Sequence, residues 1–294
     1  SSYILSSDKE KDDQIYLTKS NNKWLYSNKW QHQLHKIVTQ NQINLIHIHG
    51  VWLYPQLIGA IYASKNKIPF VLSCHGMYQP WLWKKSTYKK KLYLKLLSKR
   101  LFSKAAIIHS ITKEETNNLK KIFAKNQFIE IPNLISFSNK TTEETKNKKL
   151  EKSILYLGRI NKTKGIDVLI KAFNEIENKG VTLKIAGNFN DYKIELDDLI
   201  DRYKLTNKVI FVGMVKGKQK EDLINNSWVM VSPTFSDVIG MVNLEAGLNK
   251  TPMITTNNTG LHKDWSNNGG ILINANVKEL SEALNESLNW SQKE

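Results

Sequence analysis

Short apolar segments alternate with longer amphipathic segments along this chain of 294 residues. The apolar segments are rich in branched residues, and each ends at Gly, Pro or a polar residue, which is typical of buried parallel strands. In the first half of the chain they lie at 44–50, 68–74, 105–111 and 127–132. Helical patterns separate them at 27–40, 54–65 and 86–104. The first half is therefore predicted to consist of βα units.

A polar segment without periodicity, at 136–152, is typical of an interdomain linker. We predict an N-terminal domain over 1–140, a linker over 141–152 and a C-terminal domain over 153–294. In the C-terminal domain, strands are predicted at 153–158, 181–186, 208–212, 228–232, 252–256 and 270–273, and helices at 163–178, 192–203, 217–225, 240–248 and 277–289. The predicted fold class is α/β, with two Rossmann-like doubly wound domains that face each other across a cleft. Ligands of such sheets bind beyond the carboxyl ends of the strands.

Composition and charge exclude some classes of function. No apolar run approaches the ~20 residues that a membrane-spanning helix needs. Cys74 is the single cysteine, which excludes an internal disulfide and fits a reducing cytosol. The formal net charge of +16 favours anionic partners, which include nucleic acid, acidic lipid and phosphorylated small molecules. A solvated, lysine-rich surface explains the same charge equally well.

The segment LGRINKTKG, from Leu157 to Gly165, follows a predicted strand and opens a helix near Thr163. It matches neither the P-loop nor the GxGxxG turn, so neither ATP hydrolysis nor a conventional nicotinamide site is indicated. Arg159 and Lys164 flank the predicted start of the helix. A helix N-terminus with two cations favours a diphosphate ligand, although ordinary surface cations would produce the same pattern.

A second segment, PTFSDVIGMVNLEAG from Pro233 to Gly247, again joins a strand to a helix. Its glycine relaxes the turn, so that three backbone N–H groups can point at an anion, those of Gly240, Met241 and Val242. Asp237 and Glu245 are placed to border one pocket at different depths, which suits two carboxylates that bind hydroxyl groups of one long ligand. Two structural alternatives remain open, in which Asp237 is a helix N-cap and Glu245 pairs with a nearby lysine.

Together these two segments, about 80 residues apart, resemble the family-4 retaining glycosyltransferases of the GT-B fold. The resemblance implies that Arg159 and Lys164 neutralise the diphosphate of a nucleotide-sugar. It further implies that Glu245 holds the ribose hydroxyls and that Asp237 contacts the donor sugar. Family members have Glu where Asp237 stands, so the carboxylate here is shorter by a methylene group.

The resemblance covers residues from about 28 to 290 and continues in four N-terminal segments, IHIHGVW, SCHGMYQPW, HSITKEE and IPNLI. His75 resembles the histidine with which family members contact the donor sugar and phosphate. The resemblance thus implies that His75 and Asp237 are the catalytic residues. Acceptor-side candidates are His49, Gly50, Gly76 and His109. His47 is expected to point away from His49 and to be a satisfied core residue.

The segment from Lys84 to Lys104 contains nine basic residues and no acidic one. Tyr93, Leu94, Leu97 and Leu101 recur at helical spacing, which predicts a basic amphipathic helix. Either its leucines pack on the sheet and its lysines are solvated, or its lysines face anionic lipid. Three nearby aromatic residues are candidates for membrane insertion or sugar stacking: Tyr78, Trp81 and Trp83.

These observations predict a cytoplasmic glycosyltransferase, peripheral at the inner face of the membrane. It would move a sugar from a UDP- or GDP-sugar to a glycan or lipid-linked acceptor, as in the synthesis of lipopolysaccharide or another surface polysaccharide. The resemblance implies that no metal is required, because cations and helix dipoles stabilise the leaving diphosphate. It implies no cofactor, because the nucleotide-sugar is a substrate, and it implies no covalent enzyme nucleophile. The alternatives are a basic nucleic-acid-binding protein, which here lacks any recognised module, and another GT-B enzyme such as an epimerase or phosphorylase.

Family members begin with a strand, a glycine-rich loop and a helix, and their last helix returns to the N-terminal domain. Residues 1–26 contain no glycine and only two weak strand patterns. The resemblance therefore implies a chain truncated at both ends. We expect its C-terminal domain to bind the donor nucleotide, and we expect transfer by the chain as given to be weak or absent.

Overall fold

The computed structural model describes residues 4–6, 14–16, 22–80, 87–135, 152–177, 180–261 and 263–291. The chain forms two compact units, Ser1–Asn133 and Leu134–Glu294. Apart from Lys152, the predicted linker at 141–152 lies outside the described residues. Each unit is a parallel α/β structure, as the sequence pattern predicts.

The N-terminal unit contains a four-stranded parallel sheet. Its strands are β3 (Ile46–His49), β4 (Phe70–Ser73), β5 (Ile107–Ser110) and β6 (Phe128–Glu130), in that order across the sheet. Its helices are α1 (Trp30–Gln40), α2 (Tyr54–Lys65), α3 (Thr87–Tyr93), α4 (Lys99–Phe102) and α5 (Lys113–Lys120). Two short strands, β1 (Ile4–Ser6) and β2 (Gln14–Tyr16), form a separate parallel pair.

The register of this sheet separates an apolar row from a polar row. Ile48, Leu72 and Ile108 are matched across β3, β4 and β5, and all three are buried in the core that includes Ala60 and Ala63 of α2. Successive side chains of a strand point to opposite faces, so the next matched row lies on the other face of the sheet. That row consists of His49, Ser73 and His109.

A π-helical turn, Leu94–Ser98, joins α3 to α4 within the predicted basic helix. Leu94 and Leu101 pack against the core, whereas Leu97 is exposed. Leu97, which the helical spacing placed on the same face, departs from it because it lies within the π turn, where the spacing of residues is wider than in an α-helix. Tyr78 is buried and is no insertion point. Trp81 and Trp83 lie outside the described residues. Among the helices that the structure describes, none has the length and apolarity required to cross a membrane.

The C-terminal unit is built on a six-stranded parallel sheet with the order β12-β11-β10-β7-β8-β9. Its strands are β7 (Ser153–Leu157), β8 (Thr182–Ala186), β9 (Val209–Gly213), β10 (Val229–Ser232), β11 (Met253–Thr256) and β12 (Gly270–Ile273). Its helices are α6 (Ile166–Glu175), α7 (Tyr192–Arg202), α8 (Gly217–Asn225), α9 (Met241–Leu248) and α10 (Val277–Leu288). The strand order reverses between β7 and β10, which is where doubly wound sheets bind ligands.

Helix α6 begins at Ile166. The sequence pattern predicts a start near Thr163, three residues earlier. Asn161 first caps a short 3-10 turn, Lys162–Lys164, because its side chain accepts a hydrogen bond of 3.0 Å from the Thr163 N–H. Gly165 then adopts a left-handed conformation with φ of +66°. Its α-carbon lies so close to the carbonyl oxygen of Pro233 that a β-carbon would overlap that oxygen. This contact brings the loop after β7 against the loop after β10.

We predict that Gly165→Ala lowers the free energy of unfolding of this unit by about 2–4 kcal/mol. The left-handed conformation contributes about 1–2 kcal/mol, and the overlap with Pro233 contributes the remainder. Gly180→Ala is the matched control, because Gly180 has φ of +69° but no atom within 4 Å of the added carbon. Urea denaturation measures both losses. Equal losses in the two variants would show that the contact between the loops has no steric importance.

Candidate functional site

Four histidines, His47, His49, His75 and His109, cluster at the polar row of the N-terminal sheet and beside it. His49 at the end of β3 and His75 just after β4 lie side by side, with 2.7 Å between His49 Nδ1 and His75 Nε2. Their rings stack at a centroid distance of 5.1 Å. His109 of β5 is connected to this row through Ser73. The structure thus brings together the three histidines that the sequence had selected.

His47 is the fourth member, and the prediction that it is a core residue is wrong. Residues i and i+2 of a strand point to the same face, so His47 and His49 share one. Their ring centroids are 4.1 Å apart, and both side chains are exposed. The alternation rule, applied with the correct period, would have placed His47 in the candidate site.

A series of three hydrogen bonds runs from His47 through Ser73 and His109 to Ile131, and its last acceptor determines which group donates in each bond. The Ile131 carbonyl can only accept, so His109 Nε2 donates to it over 2.9 Å. In neutral His109, Nδ1 then accepts the Ser73 hydroxyl proton over 2.7 Å. The Ser73 oxygen in turn accepts from His47 Nε2, also over 2.7 Å. Within the described residues, no group of three or more His, Cys, Asp and Glu side chains is placed to hold a metal ion.

The cluster favours neutral imidazoles. Desolvation, aided by His49 and His109, lowers the pKa of His47 to about 4. Desolvation also lowers the pKa values of His49 and His75, with further contributions from neighbouring histidines. Near pH 7 these three rings are therefore hydrogen-bond donors and acceptors rather than cations.

The turn that carries His75 has an unusual backbone. His75 has φ of +50° and Gly76 has φ of +71°. The Gly76 N–H donates to Glu115 Oε1 over 2.5 Å, and the Ile111 N–H donates to Glu115 Oε2 over 2.8 Å. Glu115 is almost fully buried. This carboxylate was not among the candidates predicted from the sequence, although the Thr112-x-x-Glu115 spacing at the start of α5 is that of a capping box.

Gly50 lies in a similar position at the end of β3. Its φ is +86°, and its N–H continues the sheet by donating to the Ser73 carbonyl over 2.8 Å. A β-carbon here would lie 3.2 Å from the Met77 side chain. Gly50 and Gly76 are therefore required by the backbone, whatever they contribute to an acceptor.

In the C-terminal unit, the candidate acids each form an ion pair. Lys164 Nζ lies 2.5 Å from Asp237 Oδ2, and both side chains are largely buried, with exposed fractions of 14% and 25%. Lys220 Nζ of α8 lies 3.1 Å from Glu245 Oε1. The pairing of Glu245 with a lysine, which the sequence left open as an alternative, is thus present in the structure. Lys220 was missed because its partner is 25 residues away in sequence.

Helix α9 begins at Met241, and its N-cap is Gly240, with no side chain as a cap. The alternative in which Asp237 is the N-cap is therefore wrong. Gly240 has φ of −71°, so the turn needs no left-handed residue. Glycine is required for space, because a β-carbon would lie 2.5 Å from the side-chain nitrogen of Asn243. Met241 and Val242 form the first turn of the helix.

Arg159 completes this group at the carboxyl end of β7. Its side chain is exposed, and its backbone carbonyl accepts the Tyr156 hydroxyl over 2.8 Å. Burial raises the pKa of Tyr156, and the nearby carboxylate of Asp237 raises it further. Arg159, the Lys164–Asp237 pair and the N-terminus of α9 therefore follow β7 and β10, the two strands between which the strand order reverses. Such a group can bind a diphosphate and its attached hydroxyls.

Both halves of the chain match models of known families. The model described as "Glycosyl transferases group 1" matches residues 138–294. The model described as "Glycosyltransferase Family 4" matches residues 7–138.

Relatives and solved structures agree with these matches. An uncharacterized glycosyltransferase of Methanocaldococcus jannaschii is 37% identical over 38% of this chain and 28% of its own length. The capsular polysaccharide biosynthesis glycosyltransferase CapM of Staphylococcus aureus is 32% identical over 51% of this chain. The chain spans 41% of the length of CapM. The crystal structure of Anabaena HepE in complex with UDP and glucose has a TM-score of 0.68 at 20% identity, over 91% of this chain and 75% of that one.

The histidine cluster predicts a loss of stability in mild acid. Because the pKa of His47 is about 4 in the folded chain and 6.5 in the unfolded chain, the unfolded chain binds more protons between these pH values. The contribution of His47 is thus fully present above pH ~6.5 and is lost as the pH falls towards 4. Urea denaturation at several pH values should show that the free energy of unfolding falls less between pH 6.5 and 4 in His47→Gln than in the unmodified chain. An identical loss in both proteins, with His47 titrating near 6.5 by NMR, would contradict this assignment.

Proposed function

The chain belongs to the glycosyl transferases group 1 family, and we propose that it transfers a sugar from a UDP- or GDP-sugar to a growing glycan with retention of configuration. The observation that carries this proposal is the Lys164–Asp237 ion pair beside the start of α9, at the reversal of strand order. The structure of HepE, which has a similar fold, is a complex with UDP and glucose, and this supports a nucleotide-sugar donor.

Donor binding exchanges one partner of Lys164 for another. The lysine leaves the Asp237 carboxylate and pairs with the diphosphate, which also faces Arg159 and the N-terminal N–H groups of α9 at Gly240, Met241 and Val242. A desolvated diphosphate binds such groups strongly, because fixed cations and dipoles replace its hydration. The same groups stabilise the charge that develops on the leaving diphosphate, so the reaction needs neither a metal nor a cofactor.

The two carboxylates then bind hydroxyl groups. Asp237, released from Lys164, accepts hydrogen bonds from the donor sugar. Glu245 accepts hydrogen bonds from the ribose hydroxyls, and Lys220 holds its carboxylate in position. This division of roles is the one that the family resemblance implies, and it fits the position of Asp237 before helix α9 and of Glu245 within it.

Retention follows from attack on the face that the diphosphate leaves. The bond between the anomeric carbon and the phosphate oxygen breaks, and a bond from that carbon to the acceptor oxygen forms. The acceptor proton passes to the departing phosphate oxygen. No residue of the chain needs to form a covalent intermediate.

The neutral histidines contact sugar hydroxyls of a substrate. Neutral imidazoles suit this role because each ring offers one donor and one acceptor. His75 and His49 lie at strand ends, where ligands of such sheets bind, and His109 lies in the same row as His49. We assign His75 the direct contact and place His49, Gly50, Gly76 and His109 on the acceptor side. The nucleic-acid-binding alternative is not favoured, because both family matches are to glycosyltransferases.

The basic helix supports an anionic membrane surface as a further partner. Tyr88, Leu92 and Leu96 have exposed fractions of 82%, 47% and 63%. The lysines at 89, 91 and 95 are exposed on the same helical segment, and the sequence from 84 to 104 contains no acid. Apolar side chains among cations fit the interface of an anionic bilayer. A lipid-linked acceptor at the inner face of the cell membrane would place the chain there.

We predict that UDP binds without metal and that Lys164→Ala weakens binding by about ten- to a hundredfold, as does Arg159→Ala. A charged hydrogen bond to phosphate accounts for this range. Lys162→Ala is the control, because Lys162 is exposed and pairs with Glu195 instead. Calorimetric titration with UDP, in the presence and absence of a chelator, measures the Kd. The diphosphate assignment is wrong if all three variants bind UDP as the unmodified chain does.

We also predict that replacing Lys89, Lys91 and Lys95 by Glu abolishes binding to phosphatidylserine vesicles while leaving the Kd for UDP unchanged. Each lysine near the surface contributes about 1 kcal/mol, so the loss of three weakens binding by at least roughly a hundredfold. Replacing Lys113, Lys121 and Lys125 by Glu changes the net charge equally and should retain vesicle binding. Sedimentation with vesicles measures the binding of both variants. If only the net charge of the chain mattered, both variants would lose vesicle binding to the same extent, and the basic helix would not be a local binding surface.

A further inference from the structure

A buried carboxylate connects two loops of the histidine site. Glu115 lies on the first turn of α5 and is 2% exposed. Its two oxygens accept hydrogen bonds from the backbone of two different strand ends, that of Gly76 after β4 and that of Ile111 after β5. The carboxyl group offers one oxygen to each N–H donor, whereas the amide of Gln in the same place would offer one oxygen and turn its NH2 group towards the other donor.

The Gly76 contact anchors the turn that carries His75, which is closed by a hydrogen bond of 3.1 Å from the Met77 N–H to the Cys74 carbonyl. A left-handed conformation is unfavourable for a residue with a β-carbon, so it persists only where surrounding contacts impose it. On one side of His75, Ser73 is paired within the sheet. On the other side, the Gly76 N–H is held by Glu115, and the Met77 carbonyl accepts a hydrogen bond of 3.2 Å from the Trp52 indole.

The backbone conformation of this turn determines where the His75 ring points. With φ of +50°, the side chain returns towards β3, where it stacks on His49 and forms the 2.7 Å contact. We infer that Glu115 is a positioning residue, which holds His75 against His49 by fixing the Gly76 and Ile111 backbone. The inference rests on the proposed contact of His75 with a sugar, and it adds the residue that presents His75 for that contact.

The surroundings of Glu115 fit this role. The thiol of Cys74 lies nearby, and burial together with the Glu115 carboxylate raises the pKa of that thiol. Thr112 caps α5 by accepting a hydrogen bond of 3.2 Å from the Glu115 N–H. Helix α5 thus has its own hydroxyl cap, which leaves the Glu115 carboxylate to hold the two loops.

The test reads the rings and the backbone directly by NMR. In Glu115→Gln the amide group offers a single acceptor, so the protection of Gly76 or Ile111 against hydrogen exchange should fall by about ten- to a hundredfold. The ring nitrogen shifts of His75 and His49 should change together, and His75 should titrate closer to its ordinary pKa of 6.5. Glu114→Gln is the matched control, since Glu114 precedes Glu115 and is exposed.

Two results would overturn the inference. The first is a folded Glu115→Gln variant in which the His75 and His49 ring signals and titrations are unchanged, since a purely structural role would lower stability alone. The second needs no variant: Gly76 and Ile111 amides that exchange in the unmodified chain as fast as an open loop. Because these readouts use no substrate, they are independent of UDP binding and of whether His75→Ala affects sugar transfer, which test the proposed function itself.

Discussion

The close approach of Gly165 to the Pro233 carbonyl is the contact on which the C-terminal site depends. Since no β-carbon stands between them, the loop after β7 lies directly against the loop after β10. Two hydrogen bonds reinforce the contact, because the Thr163 carbonyl accepts from the Phe235 N–H over 2.9 Å and from the Thr234 hydroxyl over 3.1 Å. Lys164 is thereby held where its amine reaches Asp237, 73 residues away in sequence.

The ion pairs explain how such a site remains stable without its substrate. A half-buried lysine or carboxylate alone would carry an unfavourable desolvation free energy, and pairing offsets it. Under the proposed function, a diphosphate competes with Asp237 for Lys164, so that donor binding would both neutralise the phosphate and free a carboxylate for the sugar. In the N-terminal unit the polar row carries less charge, since desolvation and neighbouring histidines lower the pKa values of His47, His49 and His75.

The elements of both sheets could be predicted because apolar runs of four or five residues recur with clear breaks. Arg159, Lys164, Asp237 and Glu245 could be selected because each lies just beyond a strand or in the first turns of a helix. The partners Glu115 and Lys220 could not, because their roles depend on contacts between distant elements. The start of α6 and the exposure of Leu97 depend on a 3-10 turn and a π turn, which hydrophobic periodicity does not reveal.

A crystal structure of the chain with UDP tests the central claim most directly. We predict that the diphosphate lies between Lys164 and the first turn of α9, that the Lys164–Asp237 pair is open, and that the ribose hydroxyls contact Glu245. UDP bound elsewhere on the unit, or bound there with Lys164 still paired to Asp237, would contradict it.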